Sequence, residues 1–193
     1  MEAVLEYPEI APKTLAPPHS LAEYLTMPEG PPYYEFINGI AHSMPSPTTT
    51  HQRILRRICR LMDSFVEAHG LGEVLFAPLD VYLSDEEYYQ PDMLYVSNGR
   101  KSIVQERIYG APDLVVEVLS PSNGYNHLTH KKRMYEAFGV REYWILDPLE
   151  KPVEVLFNTE IGFQIASKAY SKGLVQSQIL SGFAVDVEQL FAE

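Results

Sequence analysis

An aspartate, a glutamate and a lysine with the chemistry to act together on a phosphate fall within one short stretch of this chain. In Gln90-Pro91-Asp92-Met93-Leu94-Tyr95-Val96 an acid opens an apolar run. In Pro112-Asp113-Leu114-Val115-Val116-Glu117-Val118-Leu119 a lone glutamate interrupts what reads as a fully buried strand. An ionised carboxylate in such a place costs several kcal/mol unless a cation or strong donors offset it. Lys131 follows on the apolar face of a predicted helix. Asp, Glu and Lys converging on one strand-rich core point to metal-dependent phosphodiester chemistry.

That chemistry needs this set. A carboxylate pair binds Mg²⁺ or Mn²⁺ through oxygen and leaves the other positions to water and a substrate phosphate. The ion acidifies the attacking water and screens phosphate charge, and a nearby lysine orients that water or stabilises the developing negative charge. Asp92 and Glu117 are the expected metal ligands, with the main-chain carbonyl of Val118 as a third, and Lys131 is the expected catalytic lysine.

The helix geometry selects Lys131. At 100° per residue, Leu128, Lys131, Met134, Tyr135 and Phe138 share one face, while Lys132, Arg133 and Glu136 point elsewhere. His127 lies on the same face, one turn before Lys131. An inward amine needs a partner, and Glu117 is close in sequence. A purely structural Lys–Glu pair, or a lysine reaching past Tyr135 to water, satisfies the same pattern.

Further candidates are weaker. His51 falls on the apolar side of an earlier helix, in its first turn, where it is either a site residue or a satisfied core histidine. Arg53, Arg56, Arg57 and Arg60 form a stripe opposite Ile54, Ile58, Leu61, Met62 and Phe65. The stripe either contacts phosphates or is a solvated face with Arg60 and Asp63 paired at i, i+3. Glu35 shares a strand face with Ile37, the side expected to be buried. Asp80 is placed on the outer face of its strand, and Asp113 and Asp147 are placed as turn residues beside prolines.

The elements that must position these side chains follow from pattern. Residues 1–19, with Pro8, Pro12, Pro17 and Pro18, read as an extended arm. Residues 20–193 read as one domain. Ser20 with Glu23 is a capping-box pattern for a short helix to Met27. Tyr34 to His42 is a strand, an Asn38-Gly39 turn and a returning strand. A helix from His51 to about His69 has threonines before it and Gly70 as its C-cap. Strands are predicted over Glu73–Phe76, Leu79–Leu83, Met93–Val96, Leu114–Leu119, Glu142–Asp147, Pro152–Asn158 and Phe163–Ser167. An acidic turn is placed at Asp85-Glu86-Glu87, and a helix over His127–Phe138 before Gly139. A last helical turn is packed by Leu190 and Phe191. The sum is an α/β domain with an antiparallel component.

Bulk properties set the outer limits. At 193 residues and 46% hydrophobic content, the chain is long enough for one proper core. No apolar stretch approaches the roughly 20 residues of a membrane span. No basic n-region precedes an apolar segment at the N-terminus, so a cytoplasmic location and no membrane partner are expected. The single cysteine, Cys59, excludes internal disulfides and cysteine-based zinc sites and reads as a core thiol. The net charge of −11 disfavours non-specific DNA binding, so any such contact needs a local basic patch or a metal.

The same residues carry a family likeness. Tyr34-Glu35-Phe36-Ile37-Asn38-Gly39, His51-Gln52, Ala77-Pro78-Leu79-Asp80-Val81 and Gln90-Pro91-Asp92 come first. Ala111-Pro112-Asp113-Leu114-Val115-Val116-Glu117-Val118-Leu119-Ser120-Pro121-Ser122, then Lys131-x-x-x-Tyr135, and Gly139 through Pro148 complete the set. Over roughly residues 20 to 190 this order resembles the Uma2 family, formerly DUF820, a group abundant in cyanobacteria with a PD-(D/E)XK restriction-endonuclease-like fold. The resemblance implies a mixed sheet flanked by helices and an endonuclease site using Mg²⁺ or Mn²⁺ on nucleic acid, with DNA the expected substrate. Carried over by position, Asp92 is the motif aspartate and Glu117 its acidic partner. Leu119 stands where the usual lysine would be, and the family's relocated lysine matches Lys131. Glu35 and His51 match auxiliary site residues. His127 departs from the family, which commonly has an aspartate there. Restriction-like folds often pair, and by that analogy a homodimer clasped by the arm is expected.

Two readings stay open at this level. One is a metal-dependent endonuclease. The other is a catalytically inactive binding or regulatory module on the same fold. The acidic charge and His127 favour the module. The intact Asp–Glu–Lys set favours the enzyme, because a core relieved of function tends to replace buried charge with apolar residues. A carboxylate-pair sugar hydrolase is a third, weaker reading that Lys131 argues against.

Overall fold

The computed structural model describes residues 16–28, 30–120 and 125–192; the side chains of residues 125–127, His127 among them, and residues 1–15 of the arm lie outside the described part. In chain order the elements are α1 (Leu21–Tyr24), β1 (Tyr34–Ile37), β2 (Ile40–Ser43), α2 (Thr49–His69), β3 (Gly72–Phe76), β4 (Val81–Tyr82) and β5 (Tyr88–Tyr89). Then come β6 (Met93–Ser97), a 3₁₀ segment (Asn98–Ile103), β7 (Ile108–Tyr109), β8 (Leu114–Val118), α3 (Tyr125–Ala137) and β9 (Glu142–Leu146). The chain ends with β10 (Pro152–Thr159), β11 (Gly162–Tyr170), β12 (Leu174–Gln176), β13 (Ala184–Asp186) and α4 (Val187–Leu190).

The main sheet has six strands in the order β11-β10-β9-β8-β6-β3. Only β8 and β9 run parallel, which is what the α3 crossover between them allows; the other pairs are antiparallel. A second sheet, β2-β1-β5-β4-β7, packs nearby, and β12 pairs with β13. The architecture is a mixed sheet flanked by helices.

Alternation along β6 and β8 divides the core in two. Met93, Tyr95, Leu114, Val116 and Val118 face α2 and pack with Ile54, Ile58 and Met62. Leu94, Val96 and Val115 face α3 and pack with Tyr135, Tyr143, Leu156 and Tyr89. Glu117 shares the face of Val115, so the pleat alone turns its carboxylate toward α3. At β8, central in the sheet, all five residues are buried, the expected pattern for a strand covered on both sides.

Helix α2 starts where the threonines stop it fraying. Thr48 is the N-cap, and its hydroxyl accepts the His51 N–H at 3.2 Å. Gly70 ends the helix in the left-handed region at φ 61°, where a side chain would be strained. The Asn38-Gly39 turn, with φ 51° and 71°, joins β1 to β2 as a tight hairpin.

Several expected elements differ. Helix α1 spans four residues, not the seven expected after Ser20: beyond Tyr24 the backbone tightens to i→i−3 bonds, Thr26 N–H to Glu23 and Met27 N–H to Tyr24, and Pro28 has no N–H to continue it. The strand expected over Leu79–Leu83 shrinks to Val81–Tyr82. The Asp85–Glu87 turn is not wholly solvated: Glu87 is buried and holds three donors. Asp80 is not an outward residue either. It lies half-buried before β4, accepting from Gln90 Nε2 at 2.6 Å and pairing with Arg107 Nε at 3.1 Å. Among the described residues no ion pair joins Arg60 to Asp63.

Candidate active site

Asp92 stands one residue before Met93, and Met93 pairs with Val116 across β6 and β8. The antiparallel register therefore brings Asp92 beside the β8 end that carries Glu117 and Val118. The Val118 N–H donates to Asp92 Oδ2 at 2.7 Å. On the other side His51 Nε2 meets the same oxygen at 3.2 Å. Thus β8 and the first turn of α2 fix the aspartate from two directions, both through Oδ2.

Helix α3 brings the cation. Lys131 Nζ lies 2.7 Å from Glu35 Oε1 and 3.0 Å from Glu117 Oε1, with the lysine side chain 7% exposed. The Tyr135 hydroxyl, one turn on, donates to Glu117 Oε1 at 3.2 Å. Glu35 is itself held by the Gln90 backbone N–H at 3.0 Å, so the residue two before Asp92 locks the acid that holds the lysine. The Tyr89 ring lies beneath Lys131, 5.8 Å from Nζ to its centroid. Glu87 then ties α3 to the second sheet, accepting from Tyr89 and standing 3.0 Å from His130 Nε2.

The charges do not balance. Three carboxylates, Glu35, Asp92 and Glu117, face one ammonium and one imidazole. Burial is the largest influence on Glu117 and, with the Asp92 and Glu35 charges, it pushes the carboxyl up to about 7 despite Lys131. For Lys131 burial acts the other way, yet the Glu117 and Glu35 charges override it and hold the amine above the ordinary lysine value. Burial also works against a charged His51, but the Asp92 hydrogen bond and the nearby acids raise its pKa overall. His51 Nδ1 is buried with no partner among the described residues.

All five predicted side chains, Glu35, His51, Asp92, Glu117 and Lys131, meet in one place, and Val118 contributes backbone there. Tyr135 and Gln90 belong to the same network: the sequence places Tyr135 on the Lys131 face without assigning it a site role, and Gln90 enters it only as part of the Gln90-Pro91-Asp92 motif. The hydroxyl of a tyrosine on the Lys131 face was the signal for the first. For Gln90 the contact is through its main chain and no side-chain pattern reports it. The Arg stripe divides. Arg57 donates to the Leu190 carbonyl at 3.0 Å and so anchors α4, while Arg53, Arg56 and Arg60 stay exposed. Asp147 holds a turn, its Oδ1 taking the Leu149 N–H at 2.8 Å. Asp113 is no turn residue: it is buried, its Oδ2 takes the Ser97 N–H at 2.8 Å, and its Oδ1 faces Arg141 at 3.5 Å and Arg100 at 3.9 Å. Cys59 is half-buried, and burial first, then the Asp63 and Asp92 charges, push its thiol up to about 12.

Among the described residues no group of three His, Cys, Asp or Glu side chains is arranged to hold a metal. The donor set is of another kind: two acids on adjoining strand ends with a main-chain carbonyl beside them, which suits Mg²⁺ because that ion keeps several waters. Among the described residues each acid meets its hydrogen-bond partners through one oxygen, Oδ2 of Asp92 and Oε1 of Glu117. The residues fit a hard divalent cation.

A mixed sheet with acids at the ends of adjoining strands and a lysine on the flanking helix is a restriction-endonuclease-like fold. The chain belongs to the Uma2 family, described as "Putative restriction endonuclease", whose profile matches residues 21–188. Among solved structures, a "putative nuclease belonging to DUF820" from Anabaena variabilis superposes with a TM-score of 0.77 at 23% identity, covering 90% of this chain and 98% of that one. At that identity the likeness speaks for the fold. None of the curated proteins matches the chain. Among the described residues no helix is long and apolar enough to cross a membrane.

Proposed function

We propose that this protein is a Mg²⁺- or Mn²⁺-dependent endonuclease that hydrolyses phosphodiester bonds of DNA. The observation that carries the reading is the surplus of negative charge: three acids around one buried ammonium, with Glu117 pushed up to about 7. A divalent cation at that point relieves the surplus, and Asp92, Glu117 and the Val118 carbonyl are the groups that would hold it. When bound, such an ion supplies charge neutralisation on the phosphate and acidifies water.

The remaining roles belong to the chain. Lys131, held by Glu35 and Glu117, presents a fixed positive charge to the oxyanion that develops as the P–O bond breaks. Glu35 is a positioning residue for Lys131, and Tyr135 is one for Glu117. His51 and the Val118 N–H orient Asp92 through Oδ2, leaving Oδ1 for the cation. Because its pKa is raised, His51 remains protonated to higher pH than a free histidine and offsets part of the Asp92 charge.

The test is cleavage of single-stranded, supercoiled and branched DNA with Mn²⁺, comparing wild type with Lys131→Met. Wild type is expected to cut at least one substrate, while the variant binds Mn²⁺ but cuts about 10²–10³-fold more slowly. Full activity in the variant would remove Lys131 from the mechanism. A wild type that binds Mn²⁺ and cuts nothing would leave a binding module.

A further inference from the structure

A cleft of about 720 Å³ opens between the N-terminal half of α2 and the end of β3. Three features meet in it. The first is Phe76, the last residue of β3. It shares the strand face of Val74, which α2 covers, yet it lies beyond the helix's reach and is 63% exposed. A single exposed phenylalanine is ordinary by itself. The second is Arg53 and Arg56, which line the same cleft, are exposed, and have no ion-pair partner among the described residues. At i, i+3 their Cβ atoms stand about 5–6 Å apart on one face of α2. The third is continuity with the site: Ala77, which lines the cleft, donates its N–H to the Asp92 carbonyl at 3.0 Å.

We propose that this cleft is the seat of an unpaired DNA strand, with one base stacked on Phe76 and the adjoining phosphates on Arg53 and Arg56. The inference deepens the nuclease reading and rests on it for the identity of the ligand. The lining argues for the occupant. An exposed aromatic ring offers a platform to any base but only to one already out of a duplex stack. Two free guanidinium groups on a body of net charge −11 are a local reversal of sign, of the kind a phosphate backbone recognises. Gln52, exposed on the same wall, can reach a base edge. The commitment to DNA follows from the nuclease reading on which this inference rests, and the RNA arm of the experiment tests it. Because Ala77, next to Phe76, bonds to the Asp92 main chain, a base on Phe76 lies one residue from the segment that carries the acid, and single-stranded or locally opened DNA is the preferred substrate.

The experiment is fluorescence anisotropy of a labelled single strand, its duplex and the matching RNA, in EDTA. Full-length wild type is compared with Phe76→Ala, Phe76→Trp and the double change Arg53→Gln with Arg56→Gln. Wild type is expected to favour the single DNA strand. Phe76→Ala should weaken that binding about tenfold and leave duplex binding unchanged, while Phe76→Trp keeps it. The double arginine change should reduce the log–log salt slope for the single strand by about 1.4. Unchanged single-strand affinity in Phe76→Ala, or an equal loss on duplex, overturns the stacking platform, and tighter binding of RNA overturns the DNA assignment. Because EDTA removes metal, these results do not depend on cleavage. A protein that binds the strand but never cuts it would fail the nuclease reading and keep this one.

Discussion

Glu117 and Glu142 are buried acids on the two parallel strands β8 and β9, at opposite ends of one ladder. Both have a raised pKa, and in both burial is the first cause. Their surroundings differ in kind. Glu142 is met by neutral donors: the Trp144 indole N–H at 2.7 Å, the Ser177 hydroxyl at 2.7 Å, and the Gln178 and Ile179 N–H groups at 2.5 and 3.3 Å. These pin the segment after β12 to the sheet, and the acid is a fastener. Glu117 meets a lysine and a tyrosine on one oxygen and feels two further acids. A buried acid is therefore no sign of a site by itself; unrelieved charge around it is.

The largest expected effect is on the fastener. Glu142→Ala strands those donors and should lower unfolding free energy by about 3–5 kcal/mol in chemical denaturation. Glu117→Gln keeps its shape while shedding a disfavoured charge, so the metal-free protein should melt no lower than wild type. Comparable losses in both would erase the contrast.

Next is the chemical effect. If Lys131 stabilises the developing oxyanion, Lys131→Met should cut the single-turnover rate by about 10²–10³, with Mn²⁺ affinity retained. Glu142→Gln should leave the rate of the folded fraction unchanged.

The pH response is smaller; both acids are raised, so stability shifts with pH in the same sense at each, and only metal affinity separates them. The folded Glu117 carboxyl holds its proton up to about 7, against 4.5 for an ordinary glutamate. Its stabilising share is thus present below 4.5 and is lost as pH rises through 7. Cation binding must displace that proton, so Mn²⁺ affinity should rise about tenfold from pH ~6 to ~8. A flat affinity profile would separate Glu117 from the cation. The smallest effect is Lys132→Ala, which points away from the network and should change stability by less than about 0.5 kcal/mol.

Much of the site was legible because its residues broke local rules. Asp92 and Glu117 interrupt apolar runs, and Lys131 lies on an apolar helix face, so periodicity selected them without coordinates. His51 and Glu35 were visible only as residues on a buried side, and their partners Asp92 and Lys131 lie 41 and 96 positions away in sequence, beyond any local pattern. Glu142 carries the same signal as Glu117, an acid beside an apolar strand, and the signal alone does not separate them. Helix α2 was legible from its caps, β8 from its apolar run and β10 from its alternation. Strand β4 was legible but overextended, while β5 and β7, two residues each, are too short to show a period and exist through pairing with neighbours. The Arg stripe looked uniform on the helix wheel, and only tertiary packing takes Arg57 out of it.

The central claim is that Glu117, unlike Glu142, belongs to a cation site. Calorimetric titration of Mn²⁺ into wild type, Glu117→Gln and Glu142→Gln tests it directly. Wild type and Glu142→Gln should bind alike, and Glu117→Gln should lose at least about tenfold in affinity. Equal affinity in wild type and Glu117→Gln would contradict the assignment and leave the three acids and Lys131 as a structural ion cluster.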